Sequence, residues 1–223
     1  MTFPFPAIPP YLKATSLTLA SSSTGTSGTV TFPADINEGD IIIVAHGDRS
    51  ASPSDGAGFT EIAKAGNTNS ISTDSGIILS YKIADGTEGG TTLSGWQNFN
   101  GSWGCAVYRP NVAATSVAVQ DTVAYAGTGD NTANTITASN SANPTISVYA
   151  IWEAGNVMTA NYGTFSADGN DPITGATQLL SDSGGHGLIF YSKEQVASEA
   201  FNIFADIGNI GVAASASGYL EVS

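Results

Sequence analysis

The sequence predicts an all-β protein: a jelly-roll-like β-sandwich of two similar halves, with an extended N-terminal arm. Three observations predict it. Short apolar runs alternate with Gly-, Asn- and Ser-rich turns along the whole chain. The 223 residues are 41% hydrophobic but only 11% charged, well under the ~25% of average domains, so hydroxyl and amide side chains must cover the surface. Two stretches also read as copies of one unit, 111 residues apart. Gly76-Ile77-Ile78-Leu79-Ser80-Tyr81-Lys82 leads to Glu88, and Gly187-Leu188-Ile189-Phe190-Tyr191-Ser192-Lys193 leads to Glu199. At that offset Asn98 meets Asn209 and Tyr108 meets Tyr219.

Residues 1–13 stand apart as an arm. Phe3-Pro4-Phe5-Pro6 and Ile8-Pro9-Pro10-Tyr11 combine large apolar groups with prolines, which hold the segment extended and outside a sheet interior. Phe3, Phe5, Ile8 and Tyr11 are the expected interaction residues. They dock either on a neighbouring subunit or on the arm's own domain.

Residues 14–223 form the expected single sandwich domain, with halves of about 14–110 and 111–223. Ser16 to Ala20 and Thr29 to Phe32 alternate as strands do. Residues 33–40 make a turn into Ile41-Ile42-Ile43-Val44-Ala45, which is β-branched and apolar on both faces, as in a central strand. Strands follow at Phe59 to Ala65, Gly76 to Ile83, Thr91 to Trp96 and Ser102 to Tyr108, with Asn100-Gly101 a hairpin-turn signal. In the second half, Ser116 to Val119, Thr135 to Ala138 and Thr145 to Trp152 answer the first three. Gly187 to Lys193, Ala200 to Ala205 and Gly211 to Val222 complete the set. Two such halves can each close a small sandwich or can interleave into one. The short 109–116 junction and the lack of charged outer faces favour interleaving.

The net charge is −13, and the six basic residues, Lys13, Arg49, Lys64, Lys82, Arg109 and Lys193, do not cluster. Phosphate contacts need clustered cations, so no direct nucleic-acid partner is expected. The single cysteine, Cys105, excludes an internal disulfide and a Cys-rich zinc site and reads as a buried thiol. The first ten residues lack the basic start and apolar run of a signal peptide. No apolar run reaches the ~20 residues of a membrane span, so no membrane partner is expected, and the chain reads as made in a reducing cytoplasm.

Constellations that could carry chemistry were weighed against turn and core roles. His46 lies beside Asp48, and His186 sits among glycines, but no Gly-x-Ser-x-Gly elbow accompanies them. Asp168-Gly169-Asn170-Asp171 and Asp130-Asn131 offer oxygen ligands for calcium without EF-hand spacing, and a turn role is preferred. Glu88 and Glu199 read as partners of Lys82 and Lys193, with Asp40 and Asp85 at strand-flanking turns. Trp96, Trp103 and Trp152 could form a sugar-stacking face, but core packing is the commoner use. The reading is therefore non-enzymatic, with no catalytic residue, cofactor or metal.

One series of residues carries a family resemblance: Val30-Thr31-Phe32-Pro33-Ala34, Gly39-Asp40-Ile41-Ile42-Ile43-Val44, Gly58-Phe59-Thr60, Ser80-Tyr81-Lys82-Ile83-Ala84-Asp85-Gly86-Thr87-Glu88 and Ala106-Val107-Tyr108-Arg109. It resembles a β-rich domain of tailed-bacteriophage and prophage structural proteins, over about residues 28–110. Phe59 stands where that domain usually has Trp. The resemblance implies a virion protein that contacts capsid or tail proteins and self-associates, and it brings no catalytic residues. A capsid decoration, cement or head-fibre subunit is the expected role. The alternative is a tail-tip or fibre domain binding host surface glycans, and a third class is a depolymerising enzyme with a carboxylate pair in a cleft.

Overall fold

A computed structural model describes residues 13–50, 52–67, 75–96, 101–128, 136–138, 143–154, 177–182, 186–195, 201–203 and 212–223. Among these residues there are fourteen strands and no helix. The first half carries β1 (Leu17–Gly25), β2 (Thr29–Thr31), β3 (Ile41–Asp48), β4 (Thr60–Asn67), β5 (Ser75–Ile83), β6 (Thr92–Ser94) and β7 (Ser102–Pro110). The second carries β8 (Val117–Thr128), β9 (Ile136–Ala138), β10 (Thr145–Ala154), β11 (Thr177–Asp182), β12 (His186–Gln195), β13 (Phe201–Ile203) and β14 (Val212–Val222). Every pairing is antiparallel.

The halves share one topology. The first makes a five-stranded sheet, β1-β7-β3-β5-β4, and the second makes β11-β12-β10-β14-β8, which is the same order under the exchange of β1–β7 for β8–β14. The pairs β2·β6 and β9·β13 form two small sheets that are likewise equivalent. The all-β sandwich is as expected, but the halves do not interleave. Each builds its own sheet, and the two sheets pack face to face over a common core. A jelly roll proper distributes eight strands over two sheets; each half here has seven, divided five and two.

The sequence pattern explains the layers. On β3, Ile41, Ile43 and Ala45 point into the core shared with Ile146, Val148, Ala150, Trp152, Leu188, Phe190 and Leu220 of the second sheet. Ile42 and Val44 point the other way and pack with Val30, Phe32 and Ile36. A strand covered on both faces has no polar side to alternate with, hence the unbroken apolar run. Asn100 of the Asn100-Gly101 signal lies outside the described residues, and the strands on either side of it do not pair with each other. β6 pairs with β2, whereas β7 pairs with β1 and β3, so the connection joins two sheets.

Strand pairing also fixes the true correspondence between the halves. β1 and β8 each carry a bulge at the same place: register skips Ala20 in one and Gln120 in the other. The repeated strands β5 and β12 align at the expected offset, since Ile41 faces Ile83 and Ile146 faces Glu194. In β14 the register has slipped by one. Ile41 faces Tyr108 but Ile146 faces Leu220, so Tyr108 answers Leu220 and not Tyr219. A one-residue slip reverses the face, and Tyr108 and Leu220 accordingly share the inner core.

The sheets are related by a local twofold axis running along the strands. β1 touches β11 as β4 touches β8, and β7 touches β12 as β5 touches β14. This reciprocity is that of an isologous dimer interface, built here within one chain. Like ends coincide: the Tyr108 hydroxyl donates to Ser192 Oγ at 2.7 Å at one end, while Gly47 lies against Trp152 at the other.

At the first of these poles the ends of the halves are tied together. Asn111 Oδ1 accepts from the Thr15 and Ser16 amides at 2.9 and 3.1 Å, and Asn111 N donates to the Ser16 carbonyl. Ser223 N donates to the Ser116 carbonyl in the equivalent position, and its own carbonyl accepts from Thr115 N and Ser116 N. Residues 13–16, the 111–116 junction and Ser223 therefore share one pole.

Candidate functional site

Charged and turn residues of the motif series converge at this same pole. The turns 33–40 and 84–91 run side by side: Gly39 N donates to Ala84 O, Ala84 N to Asp40 O, Gly90 N to Pro33 O and Phe32 N to Thr91 O. Gly39 sits at φ +82°, and a Cβ there would lie 2.5 Å from Ala113, so the turn needs a glycine on both counts. Asp40 is buried, and Arg109 grips it through Nε and Nη2 at 3.1 and 2.9 Å. Arg109 Nη2 also reaches Asp35 at 3.0 Å. These bonds, to Asp40 first and Asp35 second, raise the guanidinium well above its ordinary pKa.

A second pin holds the repeat turn. Lys82 Nζ pairs with Glu88 at 2.5 Å and Asp85 at 3.2 Å, and the Glu88 carboxylate accepts from the Asp85 and Gly86 amides. Burial pushes the Glu88 carboxyl up, but Lys82 and these amides outweigh it and hold it below its usual value. The Thr87 hydroxyl and amide, then Lys82, lower Asp85 to about 2. The expected Lys82–Glu88 pair is thus present, while its counterpart Glu199 lies outside the described residues. The motif side chains are consumed by these contacts and shape a corner of the fold.

The polar groups with the most altered chemistry lie at the opposite pole, on the outer face of the first sheet. His46 is 1% exposed. Its ring stacks on Trp96 at 6.2 Å, and Nε2 faces the Ser27 carbonyl at 3.3 Å, with Gly101 close behind. Burial lowers its pKa to about 4, so the ring is neutral at pH 7. Asp48 is wholly buried, and neither carboxyl oxygen has a hydrogen bond of normal geometry. Burial pushes it up to about 7, with only a partial offset from the Ser50 backbone. Asp55 is pushed up to about 6, by burial and then Glu61, against Lys64 and Ser80. Sequence reading paired Asp48 with His46 only as a triad candidate. The signal it passed over is an acid ending a strand apolar on both faces.

This geometry does not assemble a nucleophile. His46 meets a carbonyl where a triad would need a hydroxyl. Cys105 is fully buried, and burial raises its thiol to about 12, against a Ser23 hydrogen bond, so no reactive thiolate forms. All three tryptophans are seated on glycines: Trp103 on Gly25, Trp96 on Gly56 and Trp152 on Gly47. Each is 3% exposed or less, so none can offer a ring face to a sugar. A surface depression of ≈ 330 Å³ is lined by Ser52, Pro53, Lys64, Ala65 and Gly66, without an acid pair.

Phe3, Phe5, Ile8 and Tyr11 lie outside the described residues, as do Asp130-Asn131, residues 168–171 and the His186 side chain. Among the described residues no three His, Cys, Asp or Glu side chains could hold a metal ion, and no helix is long and apolar enough to cross a membrane. No family model matches this chain, and no curated protein or solved structure is similar enough to mark a relative.

Proposed function

We propose that this chain is a non-enzymatic structural subunit of a tailed-phage particle. It is a decoration, cement or head-fibre protein of the capsid surface, attached through residues 1–13. The observation that carries this reading is the gathering of residues 13–16, the 111–116 junction and Ser223 at one pole. An arm leaving at Lys13 starts from that pole, which leaves the opposite pole free to face outward. The sequence resemblance supports the same reading, because its motif residues build the corner beside the arm's point of departure. The net charge of −13 keeps free copies apart before they meet the lattice.

Deleting residues 1–13 and mixing the product with particles that lack this subunit tests the reading. The truncated chain should keep its β-sheet circular dichroism and fail to join particles. Incorporation at full occupancy would remove the arm from the account. The glycan-binding alternative has lost its motivating residues, since the three tryptophans are buried.

A further inference from the structure

Neither buried carboxyl oxygen of Asp48 has a hydrogen bond of normal geometry, the Ser50 backbone giving only a partial offset, and buried polar groups so poorly met are few enough in native proteins to call for an explanation. Its surroundings supply one. After β3 the chain crosses the outer face of the first sheet to reach β4. It runs close to the sheet at Gly76, the cross-strand partner of Asp48. A Cβ on Gly76 would lie 2.1 Å from the Ser50 carbonyl and 3.2 Å from Pro53 Cδ. Further along, Gly56 sits on the Trp96 ring, Ser54 Oγ donates to the Gly95 carbonyl at 3.4 Å, and Phe59 N donates to Gly56 O at 3.1 Å. Phe59 then packs on Trp96 and Phe32, with ring centroids 5.4 and 6.0 Å away. Gly56 and Gly58, the latter at φ +80°, flank the last turn of the crossing.

We propose that residues 52–59 form a pH-governed clasp, which lies flat on the sheet while Asp48 is protonated and loosens when Asp48 ionises. Burial and the Ser50 backbone are the influences on this carboxyl, and no ion pair to it is formed among the described residues. The described titratable or charged groups around it are His46 on its own strand, Arg49 and Asp55 on the crossing, and Glu61 and Lys64 on β4. The facing ends of β5 and β7 bring Gly76 and Trp103, which carry no charge. Lys64 is committed to Glu61 at 2.7 Å. His46 is neutral at the pH where Asp48 ionises. Asp55, in the clasp itself, ionises over a similar range and adds a second negative charge to the same layer. Lifting the clasp gives both carboxylates water, and it bares the Phe32, Phe59 and Trp96 cluster on the outer face of the first sheet. The clasp depends on nothing assumed about the arm.

Hydrogen exchange read by mass spectrometry on the full chain, with rates corrected for intrinsic pH dependence, tests this. Between about pH 5 and about pH 8, protection of the 52–59 amides should fall by about tenfold or more, while β7 amides stay protected as an internal reference. In Asp48→Asn the fall in 52–59 protection should shrink to the smaller part that Asp55 supplies. Equal protection of 52–59 at both pH values in the unaltered chain would overturn the proposal without recourse to any variant. So would an undiminished pH dependence in a folded Asp48→Asn protein.

Discussion

Gly47 shows how tightly single positions are specified. A Cβ there would lie 2.2 Å from the Trp152 ring, in the contact that joins the two sheets. Gly47→Ala should cost about 1–3 kcal/mol by overpacking, seen as a lower denaturant midpoint with an unchanged slope. Arg109 is specified by charge. Its loss in Arg109→Met leaves Asp40 buried without a counter-ion. The expected cost is about 2–3 kcal/mol, below that of a fully buried pair because Arg109 is a third exposed, and Asp40→Asn in the same chain should recover part of it. Asp48 and His46 act in opposite directions. The folded pKa of Asp48 is raised, so its contribution is complete below about pH 4 and is lost as pH rises to about 7. That of His46 is lowered, so its contribution is present above about pH 6.5 and is lost as pH falls to about 4. The two slopes oppose each other between about pH 4 and about pH 6.5, so in Asp48→Asn stability should rise more steeply with pH across that window than in the unaltered chain, as denaturant titrations across pH would record.

At the level of elements, the strands covered on both faces were plain in the sequence. Ile41 to Val44 is β-branched and uninterrupted, and it became the centre of the first sheet. The 76–83 and 187–193 copies aligned as expected because the strand pairing preserves their offset. What could not be read was partnership. Thr91 to Trp96 and Ser102 to Tyr108 look like hairpin arms, yet they entered different sheets. A local turn signal says how a chain bends and not which layer receives it. Residues 120–128 and 177–182 were not recognised as strands, because edge strands need less apolar alternation. Tyr108 and Tyr219 matched by letter but not by face, since the strand register moved by one. The matching bulges at Ala20 and Gln120 were equally hidden, although they decide which side chains face the core. Deleting Ala20 should restore a regular ladder while Leu17 and Leu19 keep their partners Pro110 and Tyr108 and their place toward the core. The expected result is a folded protein with a single cooperative thermal transition, and recovery only as aggregate would show that the bulge itself is needed.

At the scale of the whole molecule, one core contains residues of both sheets, from Ile43 and Leu79 to Trp152 and Phe190. Neither sheet can lose its partner without exposing that face. The chain should therefore unfold in a single calorimetric transition, with calorimetric and van't Hoff enthalpies in agreement. Two separated transitions would mean that the halves are independent. Among the described residues, however, every strand ladder closes within one half or the other. The two sheets need each other's side chains but not each other's place in the sequence. Thr15 and Ser16 meet Asn111, and Ser116 meets Ser223, at the same pole. The order in which the halves are synthesised is thus a matter of indifference to the final packing. A chain rewired to begin at Ser116 and to run from Ser223 through a short bridge into Lys13 should close the same sandwich. Its arm would then be free to sit at either end or to become a loop.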